Sequence, residues 1–310
     1  MPAPRVYTRS APLRSACAGF WLNLFFWTAE HSPLITRAVK WFFLFFATHF
    51  SQRIRGSTHA NARHLLGHDC TPRQRDAFMR SVVGNFFDFV ADVGLSLNLT
   101  REEMLERVEA TEGEEHYDAA RALRRGAIVL TAHMGSFEVG IAALLQRDPR
   151  VHVVFRRDEI PRFERLRGRL RRQLGVIEEP VNDGDWTMWM RLRDALARDE
   201  VVILQGDRVM PGQKGQRVPF CGGHLLLPSG PVKLALASGA PIVPIFTLRG
   251  EGKKVRIIIE EPIIVTDADE ALAKFAAMLE RYVQRYPDQW LVLEHAFCED
   301  IDLACQKEGA

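Results

Sequence analysis

The 310-residue chain reads as an α/β protein: a mixed, mostly parallel central sheet flanked by helices, preceded by an N-terminal membrane-associated helical region. Three observations predict this. From residue 126 onward, short β-rich runs alternate with helical stretches, the pattern of a sheet covered on both faces. Residues 56–125 are polar and helical, with few strand signals. Residues 16–47 contain two aromatic-rich apolar runs unlike anything downstream. The chain therefore divides into 1–55 (membrane-associated helices), 56–300 (the α/β domain, with 56–125 as a helical lead and 126–300 as the sheet) and a short tail, 301–310.

The N-terminal runs are "ACAGFWLNLFFWTA" (16–29) and "WFFLFFA" (41–47), separated by the turn-forming "EHSPLITRAVK". Neither reaches the roughly 20 apolar residues of a spanning helix. Arg5, Arg9 and Arg14 precede the first run, but no clear small-residue cleavage site follows it, which argues against a secretory signal. Large aromatics flanked by Lys40, Arg53 and Arg55 suit a helical pair lying in a membrane interface. Core helices of a soluble domain and one tilted spanning helix remain the alternatives.

In the helical lead, Thr71 reads as an N-cap with Pro72 at the first helical position. Phe78, Val82, Phe86 and Phe89 then recur at helical spacing. The predicted strands are 127–132, 151–156, 201–205, 241–248 and 255–265, the last as an edge or antiparallel strand. Helices are predicted at 161–173, 187–198 and 229–238, and a closing helix at 268–285 starts at Asp267 or Asp269. A hydrophobic fraction of 47% supplies a sizeable core. A net charge of +2 excludes bulk polyanion binding. Five scattered cysteines (Cys17, Cys70, Cys221, Cys298 and Cys305) with no C-x-x-C spacing fit a reducing compartment and supply no zinc site or disulfide framework.

The chemistry-bearing residues gather after the strands. His133 ends the run "AIVLTA", Gly135 and Ser136 follow, and Glu138 falls in the first turn of the next helix. A turn between them lets the two side chains converge, and a carboxylate on an imidazole fixes its tautomer and supports its action as a general base. Backbone N–H groups at that helix N-terminus suit an oxyanion or phosphate. Spacing alone leaves a structural and a catalytic His133 equally open. Ser136 as a nucleophile lacks the G-x-S-x-G elbow, and no H-E-x-x-H supports zinc. Between Arg156 and Arg172 there are eight arginines against three acids, an all-Arg cluster suited to planar contacts with phosphate or carboxylate. Only Phe163 interrupts it, so a nucleic-acid partner is not indicated. After the strand ending at Gln205 come Gly206, Asp207 and Arg208. Asp207 reads as orienting Arg208 or an arginine of the cluster, or as capping a turn.

"HMGSFE", "VVFRRDEIPRFERLRGRLRR" and "GDRVMPGQKGQRVPFCGG…GPVKLALASGAPIVP" occur in that order, and together they resemble the bacterial late acyltransferases of lipid A biosynthesis. That is the lauroyl/myristoyl transferase family within the lysophospholipid acyltransferase-like group. The resemblance spans about residues 18–297. It implies a glycerol-3-phosphate acyltransferase-like fold and acyl transfer from an acyl carrier protein or coenzyme A thioester to a hydroxyl of a lipid acceptor. The acceptor it implies is a lipid A precursor, a step of lipopolysaccharide biosynthesis, and more broadly a phosphorylated glycolipid or a lysophospholipid. His133 is then the base and Glu138 its partner, with amides near Gly135 and Ser136 on the oxyanion. Arg156, Arg169, Arg171, Asp207 and Arg208 bind substrate. No metal or cofactor is implied, and the place of work is the cytoplasmic face of the inner membrane. Asp207–Arg208 departs from the family's usual residues and leaves the acceptor open. Rival readings are an acyltransferase for another lipid, a non-catalytic anionic-lipid-binding protein, and a serine lipid hydrolase using Ser136.

Overall fold

The computed structural model describes residues 33–157, 161–181, 186–209 and 213–302. The first apolar run, 16–29, lies outside them. Helix α1 (Pro33–Phe50) carries the second run and packs on α3 (Pro72–Ser96), joined by α2 (Gln52–Leu65). As predicted, Thr71 caps α3. Its hydroxyl accepts from Gln74 N at 3.3 Å while Gln74 Oε1 accepts from Thr71 N at 2.8 Å, a reciprocal capping box. Phe78, Val82 and Phe89 are buried along α3, whereas Phe86 is half-buried. No helix among the described residues is long and apolar enough to cross a membrane.

The short helix α4 (Arg101–Leu105) leads to β1 (Val108–Glu112) and α5 (Glu114–Ala122). Then follow β2 (Ala127–Thr131), α6 (Phe137–Arg147), β3 (Val151–Phe155), α7 (Pro161–Leu174), β4 (Ile177–Pro180), α8 (Trp186–Ala197) and β5 (Val201–Gln205). The chain closes with β6 (Gly215–Phe220), β7 (Gly223–Pro228), α9 (Gly230–Ser238), β8 (Ile242–Arg249), β9 (Val255–Ile259) and α10 (Ala268–Arg285). The main sheet has seven strands in the order β1-β9-β8-β2-β5-β3-β4. From β8 to β4 all pairings are parallel, while β9 runs antiparallel to β8 and carries β1 on its outer edge. The mixed, mostly parallel α/β sheet is thus as the sequence predicts.

Three local differences have physical causes. The expected strand 255–265 is antiparallel, one of the two forms foreseen for it, but it ends at Ile259, and β1 covers its outer side. β1 and β4, "VEATE" and "IEEP", are the two edges and went unpredicted. An edge strand pairs on one side only and is half-exposed, so it needs little apolar sequence. The stretch after Arg208, for which no strand is predicted, contains the hairpin β6–β7. Its two-residue turn places Cys221 at φ 45° and Gly222 at φ 73°, the left-handed pair a tight hairpin requires.

In β2, "AIVLT", every residue is buried and successive side chains go to opposite faces. Ile128 and Leu130 enter the core shared with α8, α9 and α10. Ala127 and Val129 enter the core shared with α3, α6 and α7. β2 leads rightwards through α6 to β3 and on through α7 to β4. β4 and β5 then lead back through α8 and α9. Right-handed crossovers taken in opposite directions put the two sets of helices on opposite faces.

Candidate active site

β2 and β5 are neighbours whose continuations leave to opposite faces, the first into α6 and the second towards the hairpin and α9. Such a divergence opens a crevice beyond the carboxyl ends of the strands. The register Thr131↔Gln205 persists past the strand ends, where Gly206 N donates to Thr131 O at 2.8 Å. Two residues further on, His133 therefore stands opposite Asp207.

The two side chains meet directly. His133 Nδ1 is 2.7 Å from Asp207 Oδ1, and the His133 backbone N–H donates to Oδ2 at 3.2 Å. Trp290 Nε1 donates to Oδ2 at 3.0 Å. The Asp207 side chain has no exposed surface, so these three donors compensate a fully buried carboxylate. An ionised carboxylate only accepts, so Nδ1 carries the proton and Nε2 keeps its lone pair. Burial is the largest influence on His133 and pulls its pKa below 6.5. Asp207 opposes that shift, and the charges of Arg208 and Arg167 reinforce it. Burial would raise Asp207, but the His133 charge and hydrogen bond, with Arg208 and Trp290, hold it well below the usual carboxylate range. The pair at neutral pH is a neutral imidazole on an ionised aspartate.

This corrects the expected pairing. The carboxylate that holds His133 is Asp207, from the adjacent strand, and not Glu138. Glu138 sits in the first turn of α6 and is buried, its Oε2 without a hydrogen-bond partner. Burial lifts its pKa to about 7 against the pull of Arg167. The hydrogen bonds of Asp207 go to His133 and Trp290, while Arg208 acts on it through its charge.

Of the expected oxyanion amides, that of Gly135 is otherwise engaged. Gly135 N donates to the Gln289 carbonyl at 3.4 Å. Gly135 has φ 58°, and a Cβ there would lie 2.3 Å from Thr247 O, so the glycine permits a backbone crossing that no larger residue allows. The Ser136 side chain is fully buried and donates to Asp92 Oδ2 at 3.1 Å, which removes it as a nucleophile. Asp92 also pairs with Arg107 at 2.9 Å and Arg249 at 3.0 Å.

The arginine cluster splits. Arg171 is buried between Glu164 at 2.5 Å and Glu178 at 3.0 Å, with its guanidinium 3.6 Å from the centre of the Phe155 ring. Its Nε and Nη2 join α7 to β4 through Glu178 and Glu164, while Nη1 is buried without a hydrogen-bond partner. Arg169 is exposed, two positions and about 200° around α7 from the inward Arg167. Arg156 is exposed just beyond β3. Arg208 stays at the site, where its charge acts on both His133 and Asp207.

Sequence reasoning missed Asp92, Arg167, Gln289 and Trp290. Trp290 and Gln289 come from the segment after α10, which doubles back to the β2 end. Leu291 N donates to His133 O at 2.8 Å, and Met134 forms an isolated bridge with Trp290. No local motif signals such a return.

A cavity of about 230 Å³ opens beside this pair, between the sheet and α6. Phe137 lines it, its ring 6.5 Å from the His133 ring and edge-on to it. Gln205 and Thr131, each two residues before a member of the pair, line it too. Beyond them the walls are apolar, including Val129, Val153, Ile203 and Ile245.

Fold and site together define a class: α/β proteins with a histidine–carboxylate pair at the sheet's switch point and a lipophilic cavity opening beside it. Comparison with known proteins gives this class a family. The sequence model of the family described as "Bacterial lipid A biosynthesis acyltransferase" matches residues 10–298, and the chain belongs to that family. It is similar to the phosphatidylinositol mannoside acyltransferase of Mycobacterium tuberculosis, 27% identical over 195 residues, covering 61% of this chain and 60% of that protein. The enzyme of the same name from Mycolicibacterium smegmatis is 25% identical over 191 residues, covering 60% of this chain and 62% of that protein. The chain thus spans about three-fifths of the length of these relatives.

Proposed function

We propose that the protein transfers a fatty acyl group from a thioester of coenzyme A or acyl carrier protein to a hydroxyl of a phosphorylated glycolipid at a membrane surface. The observation that carries this reading is the His133–Asp207 pair next to an apolar cavity whose lining includes Phe137, Thr131 and Gln205. Nε2 of His133 takes the proton of the acceptor hydroxyl as its oxygen attacks the thioester carbonyl. The tetrahedral intermediate then collapses, the C–S bond breaks, and the imidazolium returns the proton to the thiolate. Asp207 steadies the imidazolium between these two steps. The Arg208 cation opposes the negative charge that develops on the carbonyl oxygen. The acyl chain occupies the cavity. Direct transfer needs no acyl-enzyme, which agrees with the engagement of Ser136 by Asp92.

The family's description and the relatives' names support the acceptor class. Lipid A and phosphatidylinositol mannoside both join sugar hydroxyls to phosphate. Exposed Arg156 suits that phosphate, and a lipid A precursor remains the acceptor we favour within the class. Mass spectrometry of lipids from cells with and without the protein tests the reading. A glycolipid should lose one acyl chain when the protein is absent and regain it with the wild type but not with His133→Ala. Full restoration by a folded His133→Ala protein would overturn it.

A further inference from the structure

The cavity has a second end, away from His133, and it is charged. It follows α6 from Phe137 to Arg147, ten residues or about 15 Å of helix. Along the way α6 passes close to the sheet. A Cβ on Gly140 would lie 2.9 Å from Thr247 Cγ2, so the missing side chain keeps the passage open. Past Ala143 and Leu144 the apolar walls stop at Glu114, Tyr117 and Arg147. Arg147 Nη1 is 2.8 Å from Glu114 Oε2, and the same guanidinium pairs with Asp118. It also lies over the Tyr117 ring, 5.5 Å from its centre. Tyr117 is itself anchored through its hydroxyl to Asp148.

We infer that the Glu114–Arg147 ion pair is the stop that sets the longest acyl chain the enzyme accepts. The inference rests on the proposed occupation of the cavity by the acyl chain. Each methylene that enters the apolar part raises affinity about fourfold. A methylene that reaches the ion pair meets two charges already satisfied by each other and gains nothing. It must part them or leave the chain's head displaced from His133. Affinity therefore climbs with chain length and then breaks off.

Competition binding of coenzyme A thioesters of saturated acids, from eight to twenty carbons, to the purified full-length protein tests this. In the wild type, affinity should rise about fourfold per methylene and stop rising at one length. Glu114→Gln combined with Arg147→Leu removes the charges at side chains that are 54% and 35% exposed, so the fold is retained, and the break should move at least two carbons longer. Ala143→Leu fills the passage ahead of the intact ion pair, and the break should move at least two carbons shorter. Ala143→Val serves the same purpose with less bulk. A wild-type break that stays in place in the charge-removed variant overturns the stop. If no chain length binds better than coenzyme A alone, the acyl-cavity reading itself fails, and the stop with it.

Discussion

At the scale of single residues, the proposed mechanism depends on which form His133 takes at working pH. Burial and the nearby arginines favour the neutral imidazole, and Asp207 partly resists them. A base must be unprotonated to act, so kcat/KM should rise with pH through an inflection below 6.5 and be flat by about pH 7.5. Asp207→Asn removes the one influence that raises the His133 pKa, so the inflection should move further down. The rate on the plateau should fall by about 10³–10⁴, because an amide can stabilise neither the required tautomer nor the imidazolium. A pH–rate profile of both proteins checks this. An inflection above 6.5 in the wild type, or one that rises in the variant, would show that a different group titrates. Glu138 behaves oppositely, and its effect falls on stability. Its pKa is raised from 4.5 to about 7 by burial, so the native protein holds that proton more tightly than the unfolded chain. The associated stability is fully present below pH 4.5 and is lost as pH rises through about 7. The loss amounts to roughly 3 kcal/mol, at about 1.4 kcal/mol per pKa unit. Glu138→Gln cannot ionise, so its advantage over the wild type should grow from pH 5 to pH 8. Denaturant titrations at the two pH values measure that difference, and a constant offset would count against it.

At the scale of elements, the first turn of α6 is held from outside. Asp92 on α3 receives the Ser136 hydroxyl and pairs with Arg107 and Arg249 in a buried cluster. Gln289 clasps the end of β8, with Arg249 N donating to its Oε1 at 2.8 Å and its Nε2 donating to Arg249 O at 3.0 Å. Asp92→Ala leaves two guanidinium groups without their shared carboxylate and should cost about 3–5 kcal/mol. A melting temperature within a degree of the wild type would contradict this account of the cluster. The same cluster marks how far the sequence was legible. Strand ends such as His133 and Asp207 could be read because apolar runs stop there and polar residues follow. The partnership between them could not, because it depends on the β2·β5 register, which neither run states. The resemblance pointed to Glu138, five residues on, yet the nearest carboxylate in space comes from the next strand. The arginines of α7 look equivalent in sequence, but helical phase turns Arg167 inward, leaves Arg169 outside and buries Arg171 against Glu164 and Glu178. Asp92, Gln289 and Trp290 reach the site through tertiary contacts alone, so composition and periodicity had nothing to report of them.

At the scale of the whole molecule, α1 is the element with more apolar surface than the described residues cover. One face packs on α3, with the Phe43 and Phe87 rings 5.4 Å apart and Lys40 paired to Asp88 at 2.6 Å. The other face is aromatic and open: Trp41, Phe42, Phe46 and Phe50 are 56–69% exposed. Trp41 stacks on Phe45 at 5.9 Å and Phe46 on Phe50 at 5.5 Å, so the rings form one contiguous stripe and not scattered single residues. A helix apolar on both faces needs cover on both, and aromatics are the residues that a bilayer's headgroup region accommodates best. Arg37 and Arg53, both exposed, frame the stripe with the charge that anionic lipid attracts. The proposed donor and acceptor both carry acyl tails, and an enzyme for them gains from lying on the surface that holds them. We therefore expect the protein to sediment with vesicles of phosphatidylcholine and phosphatidylglycerol. Replacing Trp41, Phe46 and Phe50 together by Ser should weaken that binding at least tenfold, since each ring contributes on the order of 1 kcal/mol or more when buried. The triple variant should keep its far-UV spectrum and its soluble acyl-thioester binding, because the three rings are 56–69% exposed. Unchanged sedimentation would sink the membrane role of this face. If the wild type were instead a dimer in solution and the variant a monomer, a second copy of the chain would be what covers the stripe.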